Sequence, residues 1–309
     1  MHRGRASPTA RPPGTRTRLT RLLNRDEPDT APLWDEVGPL TRPGGLLVLD
    51  DSVLDKPYAK HVGLVGRFWS GKHKRVVKGI DLLTLLWTDG DTVLPCDYRV
   101  VDPAEGKKVT KNHHFRSLLD AAKKRGMAPR CVAFDSWYSG KENLKAVRGH
   151  GWTFLTQVRR NRRVNLDRQG NRRIDELPIS PAGTVVHLEG FGLVKAFRIV
   201  ASNGDTGYWV TNDLGMDELT RLAVAEQAWG IEVYHRGLKQ HRGAERCQMR
   251  QRRAQRNHIG MSIRAFVRLE WHRFTTGVSW FEARVGIIRE ALRLYLTQPV
   301  FALPTRPTA

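Results

Sequence analysis

Residues 46–50, LLVLD, form an apolar run of strand length that stops on two adjacent carboxylates, Asp50 and Asp51. A buried strand tip with uncompensated acids is costly, so its charge has to be met by cations, hydrogen bonds or metal. A second short apolar run, RCVAFD over 130–135, also ends on an acid, Asp135. Ligands and chemistry in open α/β sheets gather at the carboxyl ends of strands. Two such tips side by side therefore suggest both an architecture and a place for a site. Taken singly, each acid also fits a turn or an N-cap, where Asp is common; the conjunction is what points beyond structure.

The pattern around these runs predicts strands and helices in alternation. RVVKGIDLLTLLW (75–87), the turn TDGD (88–91) and TVLPCDYRVV (92–101) read as a hairpin. The spacing of Phe115, Leu118, Leu119 and Ala122 predicts a helix within 108–126 that stops at Gly126. A further helix at 140–151 and a strand at 152–158 follow the Asp135 run. Residues 159–212 alternate in Gly-punctuated strands and read as an inserted antiparallel, β-rich subdomain. Beyond 214 the chain turns helical over 216–240, 256–274 and 279–296. The resulting division is a basic arm (1–45), a first part of the α/β domain (46–158), the insertion (159–212), a second part of that domain (213–275), and a final helix and tail (276–309). Residues 1–30 are rich in Arg, Pro and Thr and poor in bulky apolar groups, which predicts a largely disordered arm.

Charge narrows the partner. Lys and Arg number 52 against 31 Asp and Glu, a formal net charge of +21 over 309 residues. Such an excess favours a polyanion, with nucleic acid as the default, because neutralising phosphates releases condensed counterions. No basic amphipathic helix with a bulky apolar face supports a membrane surface instead. No apolar stretch approaches the roughly 20 residues that span a bilayer, and the amino-terminal segment lacks an apolar signal core. Cys96, Cys131 and Cys247 are far apart and form no CxxC pair, so they read as reduced structural thiols. The expected location is the bacterial cytoplasm, at the nucleoid.

A small acidic centre in a cationic chain suits metal-assisted phosphoryl transfer. Hard ions such as Mg²⁺ take carboxylate oxygens, and two ions about 4 Å apart activate one oxygen and stabilise another. A third acid is expected from a helix. Glu232 sits within AWGIEVYHRGLKQ, with His235, Arg236 and Lys239 at i+3, i+4 and i+7. These cations are candidate phosphate contacts, and so is the run of Arg159, Arg160, Arg162 and Arg163. An ordinary solvated charge stripe accounts for the same spacing. His113, His114, Trp271 and Trp280 read as structural or packing residues, and Tyr138 and Tyr234 as packing or DNA-contact residues.

VLDDSVLDKPY, KGIDLLTLLW, VAFDSWYSGKENL, WGIEVYHRGLKQHRGAERCQMR and RNHIGMSIRAFVRLE, in that order over roughly 46–275, resemble the DDE transposases of bacterial insertion sequences, specifically the insertion-sequence-four group. The resemblance implies an α/β, RNase H-like mixed sheet flanked by helices and interrupted by a β-rich insertion. It implies that Asp50, Asp135 and Glu232 are the catalytic and metal-binding acids for two Mg²⁺ or Mn²⁺ ions. Asp51 is second choice for the first acid, because its side chain should point to the other face of the strand. Lys239 matches the family's Lys seven residues after the Glu. Ala225 and Ala228 stand where the family has Tyr and Arg, and only about 45 residues precede the first Asp.

The implied activity is metal-dependent cleavage of double-stranded transposon ends and strand transfer into target DNA, by a homodimer assembled on DNA. The competing expectations are a truncated, inactive or regulatory copy that binds DNA without cutting, and another RNase H-like nuclease.

Overall fold

The structure is a computed structural model that describes residues 14–106 and 108–298, the side chains of residues 14–17 aside. The first thirteen residues of the expected arm and the tail beyond 298 lie outside the described residues.

The central strands are β1 (Leu46–Asp55), β2 (Gly66–Ser70), β3 (Arg75–Thr88), β4 (Val93–Val100), β5 (Cys131–Phe134) and β6 (Phe154–Val158). Their apolar residues are mostly buried, with Leu46, Leu47, Leu49, Leu82, Leu83 and Leu85 fully so, whereas Trp69 of β2 and Val76 at the start of β3 are exposed. The expected hairpin is present, since β3 pairs antiparallel with β4. On its other edge β3 pairs antiparallel with β1, which runs parallel to β5, and β5 parallel to β6. This is the RNase H-like mixed sheet expected from the sequence. Gly79 lies where β3 pairs with both β1 and β2. A Cβ there would stand 2.5 Å from Val53 Cγ1 and 2.6 Å from the Leu54 carbonyl, so only glycine lets the strands close up.

The β-rich segment contributes β7 (Arg163–Asn165), β8 (Arg172–Arg173), β9 (Thr184–Leu188), β10 (Gly192–Val200) and β11 (Thr206–Thr211). It extends the same sheet rather than standing apart. β11 pairs antiparallel with β6, placing Tyr208 opposite Val158, and the order continues through β10, β9 and β7 to β8.

Eight helices flank the sheet among the described residues: α1 (Gly14–Arg25), α2 (Ala31–Val37), α3 (Lys111–Lys124), α4 (Lys141–Gly149), α5 (Glu218–Ala228), α6 (Gly230–His241), α7 (Arg252–Thr276) and α8 (Trp280–Thr297). α3 follows Thr110, whose hydroxyl and backbone both bond His113, so that histidine is a capping residue. It ends before Gly126, whose φ of +75° only glycine adopts freely.

Three expectations change. The described part of the arm is helical: α1 packs on α7, Leu23 is buried, and Asn257 on α7 donates to the carbonyls of Leu23 and Asp26 at 3.0 and 2.9 Å. The partner helix supplies what the arm's own composition lacks. The helix expected over 216–240 is interrupted at Trp229, where a Cβ on Gly230 would come within 3.0 Å of Val93. Trp280 packs edge-on against Phe266, but Trp271 is 40% exposed and outside the core.

Candidate active site

The acids come together because of strand register. Leu49 of β1 lies beside Phe134, the last residue of β5, in a parallel pair, so one residue later Asp50 sits beside Asp135. Only β5 ends here: β1 does not stop on its two acids, as its apolar run suggests, but continues to Asp55 because β3 pairs with it along its whole length. Asp135 accepts a hydrogen bond from the backbone N–H of Trp137 at 2.9 Å and caps the short 3-10 turn Ser136–Tyr138. The turn role is thus real, and it occupies one carboxylate oxygen. α6 packs on β1 and carries Glu232, solvent-exposed, in its first turn, where the helix dipole favours an acid. The segment after α6 is fastened to the end of β1 by buried Lys56, which donates to the carbonyls of Glu245 and Cys247 at 2.6 and 2.7 Å.

Electrostatics separates the adjacent carboxylates Asp50 and Asp51. Side chains alternate along a strand, so they face opposite sides of the sheet. Burial first, then Asp51, Asp135 and Glu232, pushes the Asp50 carboxyl well above its ordinary range, with only the backbone N–H of Asp51 working the other way. Among the described residues no cation forms a salt bridge with Asp50, and the charged groups that shift it are acids. The Asp135 carboxyl is also raised, chiefly by burial, against the lowering effect of the Trp137 N–H.

Asp51 is compensated. Burial would raise its carboxyl, but Lys111 Nζ at 2.6 Å and the Tyr138 hydroxyl at 2.5 Å bring it below its usual value. Lys111, the first residue of α3, also reaches Asp81 of β3 at 2.8 Å. Asp81 has no solvent exposure, and burial, with Asp51 beside it, pushes its carboxyl up to about 7. Nothing in the spacing of the sequence marks Lys111 or Lys56, or Tyr138 as a hydrogen-bond donor, as part of this site. The visible signal was a single acid, Asp81, inside the apolar run GIDLLTLLW.

The donor set of Asp50, Asp135 and Glu232 is all carboxylate oxygen and electrically linked, which matches what a hard divalent cation requires. The set is not closed. Among the described residues no three His, Cys, Asp or Glu side chains stand near enough to hold a metal ion as placed.

The remaining candidates divide by exposure. Arg236 is exposed and Lys239 half-buried, on the helix that carries Glu232. His235 does not share that outer side: it is buried, its Nε2 has no hydrogen-bond partner, and burial together with Lys239 pushes the imidazole down to about 3. As placed it is out of reach of a phosphate. Arg159, Arg160 and Arg163 are exposed, and Arg162 is half-buried. Arg159, Arg162 and Arg163 line an open cleft of about 630 Å³ together with Lys141 and with Trp137, which follows Asp135 by two residues. No helix among the described residues is long and apolar enough to cross a membrane.

Known structures bear on the fold. A piggyBac transposase in a synaptic complex with hairpin DNA superimposes with a TM-score of 0.50 at 14% identity, over 86% of this chain and 59% of that one. The chain thus spans about three-fifths of the length of that transposase. The NurA nuclease of Sulfolobus solfataricus aligns over 93% of this chain and 95% of its own at 9% identity, but a TM-score of 0.28 carries no argument. No curated protein matches the sequence. The family model described as DDE superfamily endonuclease matches residues 5–175, more than half of the chain and the part that holds Asp50 and Asp135. With that match, the chain belongs to the DDE superfamily endonucleases.

Proposed function

We propose that this endonuclease is a transposase of the insertion-sequence-four group, acting on double-stranded DNA ends by metal-dependent cleavage and strand transfer. The observation that carries the reading is Asp50: a buried carboxylate with no salt-bridge partner among the described residues, beside Asp135 and within the field of Glu232, where β5 ends against the middle of β1. Asp50, Asp135 and Glu232 would hold two divalent ions, Mg²⁺ or Mn²⁺, which when bound supply an activated oxygen and charge neutralisation at the phosphate. Around them, Arg159, Arg160, Arg162 and Arg163 grip the phosphate backbone, and Arg236 and Lys239 hold it beside the third acid. Catalysis in this scheme rests on positioning and charge stabilisation, with no protein nucleophile. The protein works as a homodimer at the nucleoid. The stripe of Phe281, Ile288 and Leu292, exposed on one side of α8, is the kind of surface a second copy covers.

The test is cleavage of DNA carrying the flanking ends by purified protein with Mg²⁺ or Mn²⁺. Asp135→Asn is expected to lose cleavage by at least three orders of magnitude and to keep DNA binding; retained cleavage would refute the assignment. One observation favours a second reading, a copy that binds DNA without cutting: the acids do not form a closed metal cluster. Binding with no nicking under either metal would establish it.

A further inference from the structure

Directly behind Asp50, on the opposite face of the sheet, four groups converge: Asp51, Asp81, Lys111 and Tyr138. We infer that Asp51, Lys111 and Tyr138 are positioning residues that set the separation of Asp50 and Asp135, and that Asp51 is not a spare metal ligand. This rests on the reading of Asp50 and Asp135 as the metal-binding acids.

Tyr138 belongs to the same 3-10 turn that Asp135 caps. Its ring is fully buried and stacked on Phe115, with centroids 5.1 Å apart and planes 13° from parallel. Its carbonyl accepts from Asn143 Nδ2 at 3.0 Å. The ring therefore cannot follow a displaced turn without breaking that stack. Its hydroxyl donates to Asp51 Oδ1, the residue peptide-bonded to Asp50. One hydrogen bond thus ties the turn that bears Asp135 to the strand that bears Asp50. Lys111 holds the other Asp51 oxygen and reaches across to Asp81, so β1, β3, α3 and the turn meet at one point.

Stability alone gives little reason for such a cluster. Burying two carboxylates and an ammonium costs desolvation, and apolar residues of the same volume often serve as well or better. Directional bonds do what apolar packing cannot, which is to fix the spacing of the groups in front of them.

The test is Mn²⁺ binding by the full chain without DNA, followed by the paramagnetic signal of free Mn²⁺, in wild type, Tyr138→Phe, Asp51→Asn and Asp50→Asn. Tyr138→Phe keeps the stack on Phe115 and removes only the hydroxyl. The expected result is a 10–100-fold weaker Mn²⁺ affinity in Tyr138→Phe and in Asp51→Asn, with far-ultraviolet circular dichroism unchanged in Tyr138→Phe. Unchanged affinity in Tyr138→Phe, alongside lost binding in Asp50→Asn, overturns the inference alone, whether or not the melting temperature falls. No Mn²⁺ binding by wild type, or binding unaffected in Asp50→Asn, overturns the metal reading and this inference with it.

Discussion

Asp81 is a fully buried carboxyl raised to about 7, which makes its cost to folding depend on pH. An acid whose folded-state value is raised binds a proton in the native state that the unfolded chain has already released. Stability therefore falls as pH rises from the ordinary carboxylate range near 4 towards 7, by up to about 1.4 kcal/mol per pH unit. Asp81→Asn removes that titration. The expected outcome is that the melting temperature of the variant, relative to wild type, climbs between pH 4.5 and pH 7.5; a constant difference across that range would show that Asp81 stays ionised. At this scale the sequence showed the acids and not their partners. Asp50 and Asp135 stood out as charges closing apolar runs, and strand alternation was enough to set Asp50 and Asp51 on opposite faces. Lys111 lies 60 residues from Asp51 in the chain, and only the docking of α3 brings them together. His235 shows the converse: spacing put it near Glu232, but packing turned it inward.

α1 is an element whose formation depends on another. Its isolated sequence, GTRTRLTRLLNR, carries too few apolar side chains to fold alone, and a 12-residue helix is marginal in water. Against α7 it buries Leu23 to 2% exposure, accepts bonds from Asn257, and places Glu27 in an ion pair with Arg253. Leu23→Ala should cost about 2–4 kcal/mol, by lost burial plus the cavity left behind. Urea titration of wild type and variant measures it, and a cost below about 1 kcal/mol would mean that α1 is not docked in solution. The helix was hidden from the sequence because its stabilising groups lie more than 200 residues away. By contrast, α3 carried its apolar spacing and its terminating glycine within its own segment, as β3 and β4 carried their turn, and all three were legible.

Across the whole molecule, an extended mixed sheet presents an acidic centre in a chain of net charge +21. The excess is uneven in its use: Arg264 and Arg268 are engaged with Glu36, and Arg256 with Asp102, whereas exposed Arg159, Arg160 and Arg163 follow directly from β6, the strand next to β5 and the Asp135 tip. The resulting surface predicts that DNA runs from the insertion edge of the sheet towards Asp135 at the end of β5. Each phosphate neutralised releases counterions and adds about 0.9 to the slope of log affinity against log salt. Replacing Arg159, Arg160 and Arg163 together by Gln should therefore flatten that slope by up to about 3. Random-sequence and end-sequence duplexes should weaken alike, because phosphate contacts carry no base information. Fluorescence anisotropy over a salt series reads both quantities. A slope unchanged by the triple substitution would take DNA off this edge and leave the cations of α6 and α7 to bind it, whereas a loss confined to the end sequence would mean that these arginines read bases.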